Sequence, residues 1–156
     1  VIEFNSSINL SKEKLDLMPH QDPFLFIDEA KVVLDKVFAS YQITGNEDFL
    51  RGHFKHNPVF PASIMIEALG QLGVYFLLAN DDKSILQGEV DPNTIYFTSC
   101  DGIRCFRVCR PGDVIKMSIK VTKIRRPLAI FEGSIFVEGK KTAKAESITL
   151  LFDYKK

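Results

Sequence analysis

The sequence predicts an α+β fold in which one long apolar helix is wrapped by a curved antiparallel sheet. Three observations carry this. Apolar residues fill nearly every position between Ser63 and Asn80, the only stretch that reads as a long helix. Beyond Asn80 the chain becomes a series of β-branched and apolar runs separated by turn signals. Helical and strand patterns do not alternate, which argues against a parallel sheet with crossover helices. The 156 residues read as one domain, 1–156, long enough to bury about two-thirds of the unfolded surface.

Taken in order, Ser11 to Met18 (SKEKLDLM) predicts a short helix with Ser11 as N-cap, stopped by Pro19. Phe24 to Thr44 is β-branched and aromatic with a polar break near Leu34-Asp35-Lys36, the pattern of two antiparallel strands around a tight turn. Asn46 to Leu50 predicts a single helical turn. In the long helix, Ile64, Met65, Ile66, Leu69, Leu72, Val74, Phe76, Leu77 and Leu78 leave no wet face, so it must be enclosed on most sides. Gly70 and Gly73 thin one face, where a strand or a partner helix can come close. The run contains Glu67 and Gln71, ends at Asn80-Asp81-Asp82-Lys83, and is short of the roughly 20 residues of a membrane span. It predicts a core helix and no membrane. Strands follow at Thr94–Phe97, Asp101–Arg110, Asp113–Ile124, Ala129–Val137 and Thr142–Phe152. Pro111-Gly112-Asp113, Arg126-Pro127 and Glu138-Gly139-Lys140 serve as turns.

The 20 basic and 20 acidic residues cancel, so overall charge gives no argument for nucleic acid. Cys100, Cys105 and Cys109 match no zinc or CxxC spacing and read as buried or half-buried free thiols of a reducing compartment, with a structural disulfide as the lesser alternative. Val1 to Leu10 lacks a basic segment followed by an apolar run, so no signal peptide is read and a cytoplasmic location is expected.

The chemistry concentrates in Arg51 to Leu72, RGHFKHNPVFPASIMIEALGQL. His53 stands in a loop stiffened by Pro58 and Pro61, and Glu67 follows fourteen residues later on the apolar helix. A carboxylate among apolar side chains is costly to bury unless something pairs with it or uses it. His53 and Glu67 therefore read as an acid/base pair. By residue type alone, a histidine beside Gly52 is more often an ordinary loop residue, and Glu67 serves equally as a paired structural acid. Gln71, one turn after Glu67, is placed to orient its carboxyl by an i,i+4 hydrogen bond or simply to fill the core. His20 reads as capping or packing beneath the site, and His56 as facing solvent.

Three blocks together resemble the 3-hydroxyacyl-[acyl-carrier-protein] dehydratases of the FabZ/FabA type. They are Met18 to Asp28 (MPHQDPFLFID), the Arg51–Leu72 stretch, and Ile103 to Ile115 with its Pro111-Gly112-Asp113 turn. The resemblance implies a hot-dog fold and removal of water from a (3R)-hydroxyacyl thioester to give the trans-2-enoyl thioester. It implies His53 as the base at C2, Glu67 as the acid for the leaving hydroxyl, and the Ala62 N–H at the helix start as donor to the thioester oxygen. It also implies no metal or organic cofactor, a homodimer with the pair drawn from opposite protomers, and in the family often a trimer of dimers. Acyl carrier protein would be the partner. The chain departs from the family pattern at Ala62, where Gly is usual, at Lys55-His56, where Pro-Gly is usual, and at Asp22, where Tyr is usual. If position 62 required φ > 0, Ala would cost roughly 1–2 kcal/mol there.

Residues 100–126 hold eight cations, Arg104, Arg107, Arg110, Lys116, Lys120, Lys123, Arg125 and Arg126, against Asp101 and Asp113. Such an excess suits either solvated strand faces or a docking surface for an acidic carrier protein. No nucleic-acid motif accompanies it. Two other functions fit a chain of this pattern: a hot-dog thioesterase, with Glu67 activating water, and a non-catalytic acyl-binding or partner subunit.

Overall fold

The computed structural model describes residues 7–156. The reading of Val1–Leu10 as lacking a leader falls largely on residues 1–6, which lie outside the described residues.

The expected hairpin forms from β1 (Glu29–Val33) and β2 (Lys36–Gln42), with Leu34 turning the chain at φ 56°. The helix α1 runs Ala62–Ala79. After it come β3 (Tyr96–Asp101), β4 (Arg104–Cys105), β5 (Val114–Arg125), β6 (Leu128–Val137) and β7 (Lys140–Leu151). The strands form one seven-stranded antiparallel sheet in the order β1-β2-β5-β6-β7-β3, with β4 also paired to β7. Between β6 and β7, Glu138 (φ 50°) and Gly139 (φ 75°) are both left-handed, as a two-residue hairpin turn requires.

The sheet curves around α1, which packs on β2, β5, β6 and β7. Ile115, Met117 and Ile119 of β5, Phe131 and Ile135 of β6, and Ile148 and Leu150 of β7 meet Leu72 and Phe76 of the helix in one dry cluster. Each such side chain contributes about 1.5–3 kcal/mol on leaving water. With 67% of α1 buried inside the fold, its apolar surface serves this core.

Three predicted elements differ. The helix expected at Ser11–Met18 is a single 3-10 turn, Leu15–Leu17. Ser11 instead bridges to Ala30, exchanging N–H···O bonds of 3.2 and 2.8 Å, and Lys14 turns left-handed at φ 69°. Phe24–Asp28 is not strand, because Gln71 on the helix satisfies its backbone (Phe24 O, Phe26 N) in place of a neighbouring strand. Of Asp101–Arg110, Asp101 ends β3 and only Arg104 and Cys105 form a further strand, β4. Gly102 (φ 65°) breaks the strand, and after Phe106 N–H bonds to Thr142 O (2.7 Å) the chain leaves the edge. It then crosses to the loop before the helix, where Cys109 O accepts from Phe60 N–H at 2.8 Å. The cysteines are free as expected, but Cys105 is exposed rather than buried. Burial pushes the Cys109 thiol up to about 11.

The two helix glycines admit the sheet. A Cβ at Gly73 would stand 2.9 Å from Leu150 Cδ1 and 3.1 Å from Phe131, both fully buried; one at Gly70 would overlap the ring of Phe97, which is 37% exposed. Gly73→Ala is therefore expected to destabilise the fold by about 1–3 kcal/mol despite its better helix propensity. Gly70→Ala should cost clearly less, since the Phe97 ring can swing outward. Chemical denaturation of the two variants checks the difference.

Candidate active site

The approach to His53 is fixed first by Glu47. Its carboxylate accepts from Tyr41 Oη (2.7 Å), Thr44 N (3.1 Å), Thr44 Oγ1 (2.9 Å) and Gly45 N (2.8 Å). Burial alone would push the Glu47 carboxyl up, but the hydrogen bonds from Tyr41 and Thr44 outweigh it and hold it below its ordinary value. The 3-10 turn Asp48–Arg51 follows, in the place of the expected helical turn.

His53 then sits in a closed loop. Phe54 and Asn57 exchange backbone hydrogen bonds of 2.8 and 3.0 Å, and Val59 N–H returns to His53 O at 2.8 Å. His56 takes the left-handed conformation at the loop tip, with φ 57°, and is exposed. The His53–Phe54 peptide is cis, and the two rings stack with centroids 3.8 Å apart. The His53 Nδ1 lies 2.7 Å from Val59 O. A carbonyl can only accept, so Nδ1 carries the proton and the neutral ring keeps its lone pair on Nε2. Residue type does not mark this partner, because Val59 acts through its backbone. From the other side, Arg110 Nη1 donates to Asn57 Oδ1 at 2.6 Å and pins the loop.

Shortly after this loop the chain becomes helical. Pro61 is the N-cap, and its carbonyl accepts from Ile64 (3.0 Å) and Met65 (3.1 Å). Ala62 opens the helix at the edge of the core, so its N–H is one of the orphan donors at the positive end of the helix dipole. Position 62 does not require φ > 0; Ala62 is not among the left-handed residues, and the anticipated strain is absent.

Glu67 lies in the second turn of α1 with its side chain 26% exposed, more open than a carboxyl enclosed by Ile64, Met65 and Ile66. Its Oε2 accepts from Gln71 Nε2 at 2.9 Å and stands 3.6 Å from His20 Nε2. Gln71 is fully buried, donates also to Phe24 O (3.0 Å) and accepts from Phe26 N–H (2.9 Å). Burial lowers the His20 imidazole below its usual value, and the nearby Glu67 carboxylate offsets this only in part. The fold thus gathers Glu67, Gln71 and His20 on one side, and His53 and Ala62 at one loop–helix junction. Among the described residues no hydrogen bond or ion pair joins His53 to Glu67.

The cations of residues 100–126 are carried by β4, the loop after it, β5 and the turn that follows. Arg104, Arg107 and Arg110 are exposed on the segment that reaches the His53 loop. Lys123, Arg125 and Arg126 lie at the far end of the twelve-residue β5, and Arg126 pairs there with Asp153 at 2.9 Å. Through Lys144 and Ser134, strand pairing sets Arg104 level with Ser118 in the middle of β5, so the cations are spread along the sheet rather than gathered at one end. A cavity of about 890 Å³ lies elsewhere, against the ends of β5 and β6; Lys116 of the basic stretch lines it, but His20, His53, Ala62, Glu67 and Gln71 do not. Among the described residues, no group of three or more His, Cys, Asp or Glu is placed to hold a metal.

A family model described as a FabA-like domain matches residues 18–146. The chain is 37% identical over 143 residues to a 3-hydroxyacyl-[acyl-carrier-protein] dehydratase FabZ of Caulobacter sp. (strain K31), covering 90% of this chain and 85% of that protein. It is 33% identical over 142 residues to the dehydratase FabZ of Clostridium tetani, covering 90% and 95%. Among solved structures, the dehydratase heterocomplex ApeI:P from Xenorhabdus doucetiae superposes with a TM-score of 0.73 at 15% identity, over 95% of this chain and 94% of that one. A hypothetical thioesterase with coenzyme A from Streptococcus pneumoniae gives 0.60 at 11% identity, over 82% and 87%. At such identities these two establish the fold alone, and that fold is the hot-dog fold. The family model and the FabZ relatives, each spanning most of the sequence, show that this chain belongs to the FabA-like family.

Proposed function

We propose that this chain removes water from a (3R)-3-hydroxyacyl thioester on acyl carrier protein, giving the trans-2-enoyl thioester. The observation that carries the reading is the His53 tautomer. With Nδ1–H bonded to Val59 O, the ring presents Nε2 as a base, next to a helix start with free N–H groups. The C2 proton passes to His53 Nε2 while the Ala62 N–H and the helix dipole stabilise charge gathering on the thioester oxygen. Electrons from the C2–H bond form the C2=C3 double bond. The C3–O bond breaks as Glu67 gives its proton to the departing hydroxyl, which leaves as water. No metal or organic cofactor enters this scheme.

His53 and Glu67 belong in this reading to opposite protomers of a homodimer. The exposed apolar residues Tyr96, Phe97 and Phe106 along the β3–β4 edge, with Val108 just beyond it, support a second copy there. Arg110, bonded to the His53 loop, and Arg104 and Arg107 on the segment leading to it are the cations proposed to meet the acidic carrier protein.

His53→Ala and Glu67→Gln should each lower the rate of enoyl formation by about a hundredfold or more. Mixed dimers of the two variants should regain about a quarter of wild-type activity, because one site in half of the dimers is then complete. Mixtures as inactive as the parents would place both residues in one chain. Release of free thiol without enoyl absorbance would instead identify a thioesterase. Ala62→Gly should leave kcat within about threefold of wild type, since position 62 is helical and loses no donor; an inactive wild type made active by this change would mark a non-catalytic subunit. Arg107→Ala should raise KM for carrier-protein substrates and lessen its salt dependence, with less effect on short soluble thioesters.

A further inference from the structure

We infer that His20 is a positioning residue for Glu67 and acts so only as the neutral imidazole. The inference rests on the dehydratase reading of Glu67. Its basis is the arrangement of donors around one carboxylate oxygen. Gln71 Nε2 holds Glu67 Oε2 at 2.9 Å from within the helix. One donor fixes a distance but leaves the carboxylate plane free to pivot. His20 Nε2 approaches the same oxygen at 3.6 Å from a different element, the segment before Pro23. At this distance the contact lies just beyond hydrogen-bond range, close enough for a small shift to make a hydrogen bond.

The other ring nitrogen decides the protonation state. His20 Nδ1 is buried and has no hydrogen-bond partner among the described residues. A buried lone pair without a donor is less costly than a buried N–H without an acceptor. The neutral ring therefore keeps its proton on Nε2, aimed at Glu67, and protonation would place an N–H at Nδ1 where nothing accepts it. Among the described residues Glu67 is the charged group that acts on the ring, and burial outweighs its attraction. The segment carrying His20 has little freedom to relieve this, because Met18 is buried in the core and Phe26 N–H is tied to Gln71. With Oε2 bonded to Gln71 and faced by His20, Oε1 is the oxygen left to deliver the proton to the leaving hydroxyl.

The test compares wild type, His20→Asn and His20→Phe in steady-state dehydration of a carrier-protein substrate across the neutral pH range. His20→Phe should lose about tenfold to a hundredfold in kcat with KM little changed, as misplacement of a catalytic group does. His20→Asn, which keeps a short N–H donor that does not titrate, should recover most of that loss. It should also remove part of the fall in kcat that wild type shows on acidification below the ordinary imidazole range. Because the folded imidazole is lowered below its unfolded value, its contribution to stability is present above about pH 6.5 and is lost as pH falls. The wild-type Tm should accordingly drop more on acidification than that of His20→Asn. Unchanged kcat and pH profile in His20→Phe, or equal losses in both variants with the wild-type pH profile, would overturn the assignment. A wild type that forms no enoyl product would sink the dehydratase reading instead. The geometry then stands or falls on the imidazole 15N shifts: the Nε2–H tautomer supports it, and Nδ1–H overturns it.

Discussion

Gln71 is the residue on which the rest of this site depends. A fully buried amide without partners would cost about 1–3 kcal/mol, and here both ends of the amide are bonded. Its oxygen accepts from Phe26 N–H, which fixes the amide orientation, and its nitrogen must then face Phe24 O and Glu67 Oε2. One hydrogen-bond requirement inside the core thereby replaces a strand pairing for residues 24–26 and sets which oxygen of Glu67 stays free. The chemistry of the acid follows from the satisfaction of a core amide.

The second constraint is steric. A helix with no wet face needs a sheet that reaches around it, and that sheet reaches α1 because Gly73 removes a side chain where Leu150 and Phe131 press in. With the helix body held this way, its first turn projects out of the core, where Ser63 is exposed beside the end that meets the His53 loop. Burial of the apolar body and freedom of the first N–H groups are the two ends of a single element.

Much of this was legible in sequence. The helix was read to within a residue at each end, since continuous apolar character over eighteen residues has no other soluble solution. The hairpin and the β5–β6–β7 meander followed from alternation and turn residues. Elements whose backbone partners lie far away in the chain were harder to read. Ser11 looked like an N-cap, yet its backbone pairs with Ala30; Phe24–Asp28 looked like strand, yet a side chain on the helix satisfies it. At the site, His53, Glu67 and Gln71 could be named from type and spacing. Val59 could not, because it contributes a carbonyl, which every residue possesses. Nor could the spread of the basic residues, because sequence proximity along an extended strand is distance in space.

The β3 edge carries most of its residues in the open, with Tyr96 64% exposed and no strand beyond it among the described residues. Such an edge offers unpaired N–H and C=O groups in a row, and whatever pairs with it stabilises the folded form by mass action. If that partner is a second copy, the folding equilibrium of this chain is a function of its own concentration, and dilution acts on it as a mild denaturant would.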